Sequence, residues 1–396
     1  MPHSPRVRFL KILLHIIFFF TGIGTVIIGQ LLPIMAKHFS LNDLQVSFFF
    51  PVQFAGSLCG TTITSRLAIR NNYMAAAMLG GVVMAAGALL MNVDSFAFCL
   101  IGFFMVGMGI GLTLPSINMM IIEVNLERSA PALSVLNFCW GIGAILCKPF
   151  VDAFSTDSNI GLTTIVFALP LLVLTLMLRI GAGRPKNSPV KKHDPAADDH
   201  VPIWTMPIAW AIALFNFIHV GFESGMGGWL TTYTGRLAGE PLTHWLSPTL
   251  LYFSLFVIGR GVSTIMFRYL NENQMLFLGL AVVLVGMGLV LTSQSVLSLS
   301  LGSAVSGFGT SWIFPTNVSR FSKTFGPAAT RRAVPLFMAG TFGAASVTWL
   351  IGFISNQTGH LRSGMYVLAI SIIFLLIVQT GLAIRGSRIS RSESKP

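Results

Sequence analysis

Along the chain, apolar residues run in long blocks separated by short polar breaks, without strict alternation of apolar and polar positions. Twelve blocks are about as long as a helix needs to cross a bilayer, roughly 20 residues: 9–31, 45–67, 73–92, 96–122, 131–153, 160–180, 203–233, 247–269, 274–292, 296–319, 333–355 and 363–384. Only helices and closed barrels satisfy the backbone in lipid, and barrel strands would show the missing period-2 alternation. The pattern predicts an all-α membrane protein with twelve transmembrane helices.

The longest polar break, 181–202, has three prolines and mixed charge and reads as a flexible linker. It divides the chain into a six-helix bundle at 1–180 and a second at 203–396, the latter ending in a short basic tail. The halves repeat one another. Gly107, Gly109 and Pro115 in span 4 return as Gly307, Gly309 and Pro315 in span 10, at a shift of 200. Gly143-Ala144 returns as Gly343-Ala344 at 200, and Gly22 and Gly29 return as Gly221 and Gly228 at 199. Six spans per repeat is an even number, so the halves are parallel and pseudo-symmetric. Transporters built this way hold their solute near the membrane midplane and alternate access by rocking the halves.

Charge changes the picture in one respect. The net charge of +12 would suggest nucleic acid, but the basic residues collect in alternate breaks. Arg6, Arg8, Lys11, Arg66, Arg70, Arg128, Arg179, Arg184, Lys186, Lys191, Lys192, Arg268, Arg320, Lys323, Arg331, Arg332, Arg385, Arg388, Arg391 and Lys395 fall on one side, against Lys37, Arg236 and Arg362 on the other. That bias marks the cytoplasmic face. Both termini and the linker are expected inside, in a multi-pass protein of a bacterial inner (plasma) membrane, and no nucleic-acid partner is implied. Cys59, Cys99, Cys139 and Cys147 lie within apolar spans without metal spacing. No cofactor, metal or catalytic residue is expected.

Charged residues are only 10% of the chain, so those inside spans carry information. Each costs about 2.5–3.5 kcal/mol at a helix centre and should face the bundle interior or water. Glu223 shares one face of span 7 with Asn216 and His219, at i, i+3 and i+7. This stripe serves either solute binding and ion coupling or a structural bond between helices. Trp229 and Tyr233, further out, suit either sugar stacking or an interfacial aromatic belt. Lys148 is open to three readings: an ion pair with Glu223, recognition of an anion, or snorkelling to the outer interface. Arg260, mid-span 8, cross-bonds helices or binds ligand. Gln30, Gln53, Asn118, Asn137, Trp140, Trp312 and Asn317 add amides and indole faces. Together these suit a neutral polyhydroxylated solute, although amides also hold membrane helices together.

The sequence resembles the major facilitator superfamily, and within it the fucose permease-type sugar transporters. The likeness rests on VGFESGMGGWLTTY in span 7, LNFCWGIGA followed by Pro149 in span 5, Gly259-Arg260 in span 8, and FPT at 314–316. It implies a sugar or similar small polar solute. A monomer is expected, with a proton or a sodium ion as candidate coupling ion through Glu223, although proton symport itself does not carry over from the resemblance. There are three departures. The loop motif after span 2 keeps Gly60 and Arg66 but has Thr64 where an Asp is common. The acids that proton-coupled members carry in spans 1 and 4 are replaced by Gly29 and Leu114. Lys148 stands before Pro149 where a small residue is common. The runner-up is an organic-anion carrier using Lys148 and Arg260. A membrane enzyme lacks a nucleophile–base or metal motif, and an ATP-driven pump lacks a P-loop.

Overall fold

The computed structural model describes residues 5–69, 72–125, 129–156, 159–181, 202–238, 247–326 and 332–393. Apart from its end residues, the 181–202 linker lies outside the described residues, as do Arg70, Arg128, Arg331 and Lys395 of the basic breaks. The chain divides into two compact units, Met1–Lys191 and Lys192–Pro396. Twelve helices among the described residues are long and apolar enough to span a membrane, six in each unit. Their outward faces carry bare aliphatic side chains, Ile370 at 64% exposure and Val285 at 61%, as lipid-facing surface should.

The first unit contains α1 (Pro5–His38), α2 (Asp43–Ser47), α3 (Phe49–Ile69), α4 (Tyr73–Leu90), α5 (Phe96–Glu123), α6 (Ser129–Phe154) and α7 (Gly161–Gly181). The second contains α8 (Pro207–Ala238), α9 (Pro248–Met266), α10 (Glu272–Thr292), α11 (Val296–Thr310), α12 (Ile313–Phe325), α13 (Val334–Thr358) and α14 (Leu361–Glu393). Side-chain caps set several starts. Asn72 accepts from the Ala75 amide at α4, and Asn271, 199 residues on, forms a capping box with Gln274 at α10.

The repeat seen in the sequence is a repeat of close backbone approaches. Gly107 of α5 rests on the Gln53 carbonyl of α3, and Gly307 of α11 on the Tyr252 carbonyl of α9. Gly143 of α6 rests on the Phe19 carbonyl of α1, and Gly343 of α13 on the Phe217 carbonyl of α8. A Cβ at any of the four would collide with backbone, so glycine is what lets these helices pack. Gln53 and Tyr252 thereby emerge as equivalent positions of the two repeats.

Span 10 runs as one membrane-spanning stretch, Val296–Phe325, with a local break in its helical hydrogen bonding at Ser311-Trp312, between α11 and α12, where the backbone stays right-handed helical. Pro315 is the cause: it has no amide to give the Ser311 carbonyl, and its ring clashes there. Helix restarts at Ile313, which places Pro315 in a first turn, where it is tolerated. The equivalent Pro115 leaves α5 unbroken. There the orphaned Gly111 carbonyl receives the Thr64 hydroxyl at 3.1 Å. The residue that departs from the superfamily's loop motif thus holds span 4 together.

Candidate functional site

The polar side chains of the second unit converge beside the break in span 10. His219 and Glu223 lie one turn apart on α8, with His219 Nε2 at 3.7 Å from Glu223 Oε2. His219 is 1% exposed and its ring nitrogens make no hydrogen bond, whereas the Glu223 side chain is 25% exposed. Arg260 of α9 sits 4.3 Å over the Phe256 ring, one turn earlier, and acts electrostatically on Glu223 and His219. Glu223 and Arg260 also interact electrostatically with each other. Gly259, next to Arg260, lets α9 pack directly on Ser311 at the break.

Tyr252 completes this cluster and was missed by the sequence reading. Its side chain is fully buried, with the Thr310 side chain beside its hydroxyl, and it interacts with both Glu223 and Arg260. In the sequence it is one aromatic residue in an apolar run; the 199-residue offset from Gln53 is the signal that could have found it.

Other expected site residues of this unit serve packing. The indoles of Trp229 and Trp312 are buried and donate at 2.9 Å to the carbonyls of Thr348 and Met275. Each indole thus joins two helices in this structure. Asn216 donates to the Leu336 carbonyl at 2.9 Å and Asn317 to the Ile212 carbonyl at 3.2 Å. Both amides tie α8 to a neighbour, and each leaves a buried Oδ1 without a partner.

In the first unit, Thr25 of α1, also missed, is the joint of a second polar group. Its carbonyl accepts from Gln53 Nε2 at 3.5 Å and its hydroxyl from Trp140 Nε1 at 3.4 Å. Gln30 is buried further along α1. Asn118 and Asn137 each donate back to a carbonyl one turn earlier, Leu114 at 2.7 Å and Leu133 at 2.8 Å. Asn137 is exposed and Asn118 half-buried. Lys148 forms an ion pair with Asp152, one turn on in α6. The sequence reading offered Glu223 as its partner and passed over Asp152, which sits two residues from the end of that helix.

Residues 14–329 match the family profile of the Major Facilitator Superfamily. The chain is 23% identical over 394 residues to "Sodium-dependent glucose transporter 1A" of Mus musculus, covering 90% of this chain and 92% of the relative. It is 23% identical over 363 residues to "Glucose/mannose transporter GlcP" of Bacillus subtilis, covering 86% of each. Among solved structures, a bacterial homologue of the lysosomal transporter Spinster in an inward-facing conformation superposes with a TM-score of 0.79 at 12% identity, covering 96% of this chain and 97% of that one. The transporter FucP in an outward conformation gives 0.60 at 17% identity, covering 94% and 98%. The family match covers well over half of a chain folded as two six-span units with a polar cluster inside the membrane, and the chain belongs to the Major Facilitator Superfamily.

Proposed function

We propose that the protein is a sugar transporter working by alternating access, with a neutral hexose as its solute. The reading rests on one observation: each cation that would serve an organic anion already has an acid beside it. Lys148 pairs with Asp152, and Arg260 has Glu223 within electrostatic range. A site whose charges balance holds no surplus to draw an anion out of water. It does offer hydrogen-bonding atoms to hydroxyl groups: the Glu223 carboxylate, the His219 ring and the Tyr252 hydroxyl. Two relatives named for glucose, or for glucose and mannose, support the same solute class. The organic-anion reading loses its support because Lys148 is already paired.

Glu223 is the residue through which a cation, sodium or a proton, would couple to the solute. The protein would work as a monomer in a bacterial inner membrane with both termini and residues 181–202 cytoplasmic. The solute is tested by thermal-shift measurements on detergent-purified protein with glucose, mannose, organic carboxylates and sodium. Stabilisation by the hexoses and not the carboxylates is expected; stabilisation by carboxylates alone would replace the sugar with an anion. Labelling of cysteines introduced at Asn92 and Ser188 tests the topology, and modification of Ser188→Cys from outside would invert it.

A further inference from the structure

A cavity of about 680 Å³ opens between the ends of α8, α10, α12 and α14, all within the second unit. It is separate from the polar cluster around Glu223, none of whose residues line it. Part of its wall is apolar, formed by Ile208, Phe267, Phe277 and Leu382. Another part carries Arg320 and Lys323 of α12, with Glu272 as the only acid among the described residues that line it. That acid is already engaged. Its Oε1 accepts from Lys323 Nζ at 2.9 Å and from the Ser319 hydroxyl at 2.6 Å. Arg320 gives Nη2 to a neutral amide, Gln379 Oε1, at 2.6 Å, while its Nε and Nη1 are buried without a hydrogen-bond partner. A guanidinium stays protonated in proteins, so Arg320 keeps its charge. Two cations share one carboxylate, which leaves the cavity one positive charge in surplus.

The cavity also lies where a membrane interface is expected. Trp204 and Trp210 flank Ile208 in the chain, their rings meet edge to face with centroids 5.3 Å apart, and Trp210 is 58% exposed. Tryptophans placed in this way mark the headgroup level. The same helix ends carry the basic residues that the proposed topology puts in the cytoplasm, and basic pockets between helices on that side take acidic headgroups. A soluble anion has nothing to set against Phe267 and Phe277; an acyl chain has.

We infer that this cavity binds the phosphate group of an acidic phospholipid, held by the charges of Arg320 and Lys323, with the lipid's apolar part against Phe267 and Phe277. One phosphodiester carries the single negative charge that balances the surplus. The site requires neither a sugar nor Glu223, so it stands or falls apart from the solute.

The test uses the full-length protein, purified in detergent and stripped of lipid. Binding of phosphatidylglycerol, phosphatidylcholine and inorganic phosphate is followed by native mass spectrometry and by the rise in melting temperature. Wild type is compared with Arg320→Gln, Lys323→Gln and Arg268→Gln. The Lys323 side chain is 72% exposed, so Lys323→Gln keeps the test open should Arg320→Gln fail to fold. Arg268 is an exposed cation near the same helix ends that does not line the cavity, and it serves as the control. Phosphatidylglycerol should bind about fivefold more weakly to Lys323→Gln and about tenfold more weakly to Arg320→Gln, and unchanged to Arg268→Gln. Phosphatidylcholine should bind all four proteins weakly and alike. Equal affinity of wild type, Lys323→Gln and Arg320→Gln for phosphatidylglycerol, or an equal loss in Arg268→Gln, would overturn the site. Binding of inorganic phosphate in place of phosphatidylglycerol would overturn the lipid as its ligand.

Discussion

The ion pair between Lys148 and Asp152 is the point at which the charge argument is most exposed to test. Suppose Lys148→Met, Asp152→Asn and the double variant are made. Two unit charges about 3 Å apart attract by about 5 kcal/mol at an effective dielectric near 20. Their side chains are 19% and 22% exposed, so part of that attraction is screened, and desolvation takes back much of the remainder. A coupling of about 2 kcal/mol should survive, within the range seen for contacting groups. Asp152→Asn alone leaves an ammonium uncompensated inside a span and should be the more destabilising single change. The assay is SDS-driven unfolding in mixed micelles, followed by tryptophan fluorescence, with the coupling taken as the non-additivity of the cycle. A coupling within about 0.3 kcal/mol of zero would refute the pairing and restore Lys148 as a cation available to an anionic solute.

Three further outcomes follow from the packing, each read in the same unfolding assay. Gly343→Ala should cost about 3 kcal/mol or prevent folding, because the new methyl meets the Phe217 carbonyl, while Gly288→Ala, with nothing within 4 Å, should be neutral or stabilise by about 0.5–1 kcal/mol. Trp312→Phe removes the bond to the Met275 carbonyl and should destabilise by about 1–3 kcal/mol without changing the KM for sugar, since that indole packs helices and does not face the solute. Thr64→Val strips the donor from the Gly111 carbonyl and should cost about 1–2 kcal/mol, whereas Ser263→Ala, at the matching place in the second unit, should cost little, because the Ser263 hydroxyl bonds the Arg260 carbonyl of its own helix.

The spans were legible because lipid imposes a length and apolarity that any reader of the sequence can measure. The local loss of helical hydrogen bonding at Ser311-Trp312 was not, since the span around it stays long and apolar enough to cross the membrane. Pro315 was visible, but so was Pro115, and only the structure shows that Thr64 reaches the carbonyl that Pro115 leaves without a donor. Glu223, His219 and Arg260 stood out as ionisable groups in apolar runs, and the structure brings all three together. Tyr252 and Thr25 did not stand out, since an aromatic or a threonine in a membrane helix is ordinary until its partners are known. Trp229 and Trp312 were ambiguous for the complementary reason: an indole suits a sugar or a carbonyl equally well, and only the structure shows the 2.9 Å bonds to carbonyls. Asp152 was passed over because it sits near the end of its span.

Solute uptake tests the central claim most directly. Purified protein is reconstituted into liposomes, and entry of radiolabelled glucose is followed in wild type and Glu223→Gln, with lactate as the anionic comparison. The account predicts saturable glucose uptake that excess mannose competes and lactate does not, reduced at least tenfold in Glu223→Gln. Saturable entry of lactate with no entry of glucose, or wild-type glucose uptake by Glu223→Gln, would contradict it.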